Sequence, residues 1–154
     1  MNRLLMWMFI VMLMFSACQG PMGPAGKNGL DGTAQWLVAT FQVSSEHWRV
    51  VEEDDWYFFE SEIEFPELTE FVFMEGAVLC YLIQHVQYAG ERNPTRVHSL
   101  LPHTVYGEYD DGWPYSENYS CELRPGWINF TVKYSDWAPD IQPPSRLFHV
   151  VLMW

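Results

Sequence analysis

Basic side chains are scarce in this 154-residue chain: eight Lys and Arg stand against twenty Asp and Glu, a formal net charge of −12. Such a surface repels phosphate backbones and anionic lipid headgroups, which excludes nucleic acid as a partner and favours solubility. Long apolar runs are scarce too. The longest, Leu4 to Phe15, holds twelve residues; as a helix it rises only about 18 Å, against a hydrocarbon core of about 30 Å. A permanent membrane-spanning helix is therefore not expected. Helical periodicity is missing, because no stretch offers ten or more residues at that period between caps. Catalytic signatures are absent as well: no His-Glu-x-x-His, no Gly-x-Ser-x-Gly elbow, no phosphate-cradling glycine loop. His85, His98, His103 and His149 form no metal-ligand spacing. No catalytic residue, metal or cofactor is expected, and the chain is expected not to be an enzyme.

What is present begins with a leader. Met1-Asn2-Arg3 carries one cation, Leu4 to Phe15 is apolar, and small residues follow, the build of a secretory signal peptide over residues 1–17. Phe15-Ser16-Ala17-Cys18 resembles the lipobox of bacterial lipoproteins, with Phe15 in place of the commoner Leu. The resemblance implies that Cys18 receives a diacylglyceryl group, becomes the first residue of the mature protein and is acylated there. Several acyl chains, at about 0.8 kcal/mol per buried methylene, hold far better than one. The expectation is a protein anchored to a membrane through lipid without spanning it.

Residues 18–33 form a linker in which Gly20, Gly23, Gly26, Gly29 and Gly32 recur at every third position, with Pro21 and Pro24 between them. The spacing resembles a collagen repeat, where only glycine fits the axis of three polyproline-II chains. About five triplets bury little against their ordering entropy, so an extended spacer and a monomer are expected rather than a collagen-type trimer. Lipobox, Gly-X-Y tether and small domain together resemble the collagen-like lipoproteins of Gram-negative bacteria. That resemblance implies an envelope location, with the outer membrane as the expected site, and no particular activity.

Residues 34–154 read as one domain rich in aromatic and β-branched residues. In 36–44, Leu37, Ala39, Phe41 and Val43 share a face at period two. Trp48–Val51 and Trp56–Phe59 flank the polar Glu52-Glu53-Asp54-Asp55 as a hairpin. Tyr57, Phe59, Ser61, Ile63 and Phe65 then alternate with Glu60, Glu62 and Glu64, the pattern of a sheet wet on one side. Residues 68–75 fit a short strand or a helical turn. Strands are expected over 77–88, 95–101, 104–109, 115–123 and 128–134, with Arg124-Pro125-Gly126-Trp127 as a turn. Residues 147–154 are apolar on both faces and predict a strand inside a sheet. The expected fold is all-β, an antiparallel β-sandwich, immunoglobulin-like or jelly-roll-like.

Candidate sites are few. Between Glu46 and Glu75 lie eleven acids and one base, Arg49. Clustered carboxylates suit calcium, but the calcium-loop spacing is absent and a solvated strand face explains Glu60, Glu62 and Glu64. Cys80 and Cys121 remain once Cys18 is lipidated, and an exported location permits a disulfide between them; two free thiols are the alternative. Trp113, Tyr115, Trp127 and Trp137 lie beside turns, where aromatic faces either stack on sugar rings and partner proteins or cap the ends of the core. The expected function is a non-enzymatic binding or structural module of the cell envelope, contacting an envelope protein. The alternative is a carbohydrate-binding module with a glycan partner.

Overall fold

A computed structural model describes residues 34–53, 56–136 and 141–154. The leader, Cys18 and the tether glycines Gly20, Gly23, Gly26, Gly29 and Gly32 lie outside the described residues, as does Trp137. Residues 34–154 form a compact unit.

Its described residues make nine strands in two antiparallel sheets. One sheet has the spatial order β1 (Trp36–Val43), β9 (Arg146–Met153), β4 (Ala77–Val86), β5 (Thr95–Leu100). The other runs β2 (Arg49–Glu53), β3 (Trp56–Glu64), β8 (Trp127–Tyr134), β7 (Pro114–Arg124), β6 (His103–Glu108). The period-two patterns decide which residues turn inward. Leu37, Ala39, Phe41 and Val43 of β1 join the core, while Trp36 and Val38 face out. On β3, Phe59, Ser61 and Ile63 face inward and Glu60, Glu62 and Glu64 outward. The expected antiparallel β-sandwich is the fold observed.

Turn chemistry sets the connections. Arg124 pairs with Trp127 across Pro125-Gly126, and Gly126 holds φ at 80°, a conformation glycine adopts without steric cost. That hairpin is bonded to the end of β3: Phe65 N–H donates to Gly126 O, and Gly126 N–H to Leu68 O. The ambiguous 68–75 stretch is a helix, α1 (Glu70–Glu75), whose first turn is capped by Thr69 Oγ1 accepting from Val72 N–H at 3.2 Å. A single turn and a half is too short to show a helical period in sequence.

The C-terminal strand β9 lies between β1 and β4, as its two apolar faces predict. Its inner residues Phe148, Val150 and Leu152 are fully buried. Phe148 stacks on Phe130 of the opposite sheet with ring centroids 4.0 Å apart, and Trp48 closes over both Phe148 and Tyr119.

Candidate functional site

Within the sandwich, one end of the core is polar. Glu117 is inward-facing on β7 and only 3% exposed. Its Oε2 accepts from Tyr119 Oη at 2.6 Å and from an Arg146 Nη at 2.7 Å, and its Oε1 accepts from Tyr134 Oη at 3.4 Å. Arg146 Nε also donates to Tyr119 Oη at 2.7 Å. A buried carboxylate needs such partners, because an unpaired buried charge costs several kcal/mol. Burial, reinforced by the Glu117 carboxylate, pushes the Tyr119 and Tyr134 phenols well above their ordinary value of 10. Burial opposes the Arg146 charge, but the Tyr119 and Glu117 oxygens outweigh it and hold the guanidinium more firmly protonated. The cluster ties β9 of one sheet to β7 and β8 of the other. Its hydroxyls, carboxylate and guanidinium partner one another, so the cluster holds the two sheets together.

The two outer faces differ sharply. On the five-stranded sheet, the register lines up Glu62, Asn129 and Glu122 across three strands, with Glu60 and Glu64 beside them. Arg49 pairs with Glu60 and Arg124 with Glu62. A concavity of about 260 Å³ opens here, lined by Glu62, Glu122, Leu123, Arg124 and Asn129. Asn129 Nδ2 donates to Glu60 at 2.9 Å, while its buried Oδ1 has no partner. The Arg124 guanidinium lies 5.2 Å over the half-buried Trp127 ring.

The outer face of the four-stranded sheet carries no acid at any of its strand positions. Trp36 stands opposite Met153, and Met153 opposite Ala77; one step along, Val38, Val151 and Leu79 form a second row. Trp36 is 72% exposed, Val38 42% and Leu100 51%. Further along lie Tyr81, His98 and His149, the two imidazoles 5.0 Å apart, with Thr40 Oγ1 3.2 Å from His149 Nδ1. Partial burial, then the neighbouring His98 and Arg96 charges, lower the His149 pKa from its ordinary 6.5. The helix α1 leads into β4, and its Phe71 and Met74 are 61% and 68% exposed. Gly76 links α1 to β4 so closely that a Cβ there would fall 2.6 Å from Met153 O.

Of the aromatics singled out in sequence, Trp113 and Trp127 are not brought together, and Trp137 lies outside the described residues. Trp113 is 71% exposed at the β6–β7 turn, and Trp127 lies at the far end of β7, roughly 30 Å away at about 3.4 Å per strand residue. Tyr115 is stacked on Tyr109 with centroids 4.4 Å apart and packs against the core, occupied by structure. Cys80 and Cys121 face the core from opposite sheets, Cys80 on β4 opposite the buried Val150 and Cys121 on β7 opposite the buried Phe130, and both are free thiols. Among the described residues no three His, Cys, Asp or Glu side chains are grouped so as to hold a metal ion, and no described helix is long and apolar enough to cross a membrane. Sequence reasoning missed the acid-free sheet face. The signal was available in the outward positions of β1, β4 and β9, but it needed the strand pairing to sum them. Comparison with family models, curated proteins and solved structures gave no match.

Proposed function

We propose that the chain is an exported lipoprotein, acylated at Cys18 and set off the membrane by its Gly-X-Y tether, whose β-sandwich is a non-catalytic head that binds an envelope protein. The partner contacts the outer face of the four-stranded sheet. The observation that carries this reading is the exposure of Trp36 and Val38 on a face without acids, in a chain of net charge −12. Contiguous apolar surface of this kind marks protein interaction sites, and aromatic, Met and Arg side chains are what such interfaces favour. Trp36, Met153 and Tyr81 supply the anchors, and Arg96 gives one flank a positive charge that suits an acidic rim on the partner.

Photo-crosslinking tests it. A photoreactive residue at position 38 is expected to give one discrete heteromeric adduct in cells, abolished by Trp36→Ser, while the same residue at the exposed position 122 on the opposite sheet gives none. Equal adducts from both positions, adducts only between copies of this chain, or no adduct would each overturn the reading. The anchor is tested separately: Cys18→Ser is expected to leave an unprocessed, non-acylated precursor, and normal maturation would refute lipidation.

A second reading is favoured by the unpartnered Asn129 Oδ1 in the concavity beside Arg124 and Trp127. Carboxylates, an amide and one aromatic ring are the groups that hold sugar hydroxyls and pyranose faces. In that case a glycan array gives binding that Trp127→Ala removes and Trp113→Ala does not.

A further inference from the structure

We propose that His98 and His149 form a two-imidazole site for a divalent transition-metal ion of the zinc and copper class on the outer face of the four-stranded sheet. The two residues stand on β5 and β9, either side of β4. The register offsets them: His98 lies opposite Ile83 and His149 opposite Tyr81. Both rings reach over β4 until their centroids are 5.0 Å apart, with the planes inclined at 57°. That separation fits a shared ion. A metal about 2.0–2.1 Å from one nitrogen of each ring, at a tetrahedral angle, holds the two centroids roughly 5 Å apart. Tyr81 packs beside both imidazoles, at 6.3 Å from His98 and 6.4 Å from His149, so three rings cluster on rigid strands.

Hydrogen bonding leaves the necessary lone pairs free. Thr40 Oγ1 lies 3.2 Å from His149 Nδ1. With Nδ1–H donated to that hydroxyl, Nε2 carries the lone pair, the arrangement that orients metal-bound histidines. Among the described residues no hydrogen bond engages either nitrogen of His98. His98 is exposed and His149 half-buried, so an ion reaches the pair from solvent. The ligand set selects the cation. No acid stands at the strand positions of this face, so calcium and magnesium find none of the carboxylates they take, whereas neutral imidazole suits zinc, copper and nickel. Arg96, on the same face and two residues from His98, repels any cation held by charge alone, so the imidazole bonds themselves supply the affinity. Two protein ligands leave the rest of a tetrahedral shell to water.

Zinc titration of the full-length chain, with no partner present, provides the test. Calorimetry should resolve one Zn2+ site tighter than imidazole free in solution, and the ring resonances of His98 and His149 should shift together as it fills. His98→Ala and His149→Ala should each weaken that site by about tenfold or more, and the double variant little further, since one ring alone cannot chelate. Thr40→Val should weaken it by about tenfold through release of the His149 ring, and Thr40→Ser should restore it. His103→Ala, on the opposite sheet, should change nothing. Zinc affinity unchanged in His98→Ala, affinity no better than that of free imidazole, or a shift of only one of the two ring resonances would overturn the proposal. The resonances are read in the unsubstituted chain, so a variant that fails to fold still leaves a decision. Neither lipidation nor the protein partner enters the measurement, and its failure would leave that reading standing.

Discussion

Glu117 is an acid in a chain full of acids, yet it sits at 3% exposure with two phenols and a guanidinium around its carboxylate. Removing one partner of such a cluster strands the other. Arg146→Met should cost about 3 kcal/mol in urea denaturation, and the double variant Arg146→Met with Glu117→Gln should recover part of that loss. The phenols predict an alkaline limit. Tyr119 and Tyr134 are raised above 10, and Tyr109, donating to Asp136, is raised to about 12. A raised folded-state pKa means that the stabilisation is complete below pH 10 and is lost as pH climbs through 12 and beyond. Denaturant midpoints should therefore decline from pH 10 upward, with phenolate absorbance from Tyr119 and Tyr134 appearing together with unfolding. Phenolate absorbance from those two ahead of unfolding would contradict their burial. None of this was legible at residue level, because the alternation that turns Glu117 inward also turns Tyr115, Tyr119 and Cys121 inward, and only packing distinguishes a buried acid from its neighbours.

At the scale of elements, local chemistry was a better guide. The alternation in β1 and β3 and the Pro-Gly turn before β8 were readable because each depends on residues a few positions apart. The helix α1 was not, being shorter than its own periodicity requires. Its junction with β4 carries a steric prediction. Gly76 is in an extended conformation that any residue adopts, so Gly76→Ala acts through contact alone: its Cβ would meet Val72 O and Met153 O at 2.6 Å. A loss of about 1–3 kcal/mol is expected, read as a lower denaturant midpoint with an unchanged m-value. The terminal strand is more demanding still. β9 bonds to both β1 and β4, so removing residues 147–154 should abolish cooperative unfolding and leave a chain that binds hydrophobic dye.

For the molecule as a whole, the two outer faces divide polarity between them. Glu60, Glu62, Glu64 and Glu122 line one, and Trp36, Val38, Leu79 and Val151 the other. Like charges along the first discourage association there, while the second invites it. Trp36→Ser combined with Val38→Thr should change stability by no more than about 1 kcal/mol, since both side chains are exposed in the free protein. The same substitutions should remove the partner adduct at position 38 and reduce dye binding by the native state. A large loss of stability would show instead that these residues hold the fold.

Composition, turn residues and period-two alternation determined by themselves that residues 34–154 would form antiparallel strands, where most of those strands begin and end, and that the last of them would be interior. These are short-range properties, fixed by which way each side chain leaves its own backbone. Only the tertiary structure decided that β9 pairs with β1 and β4, that Glu117 meets Arg146, that Cys80 and Cys121 face the core from opposite sheets, and that the outward residues of three strands far apart in the chain sum to one acid-free face. Each of those depends on which strands become neighbours, a choice made by burial of the whole core and encoded at no single position.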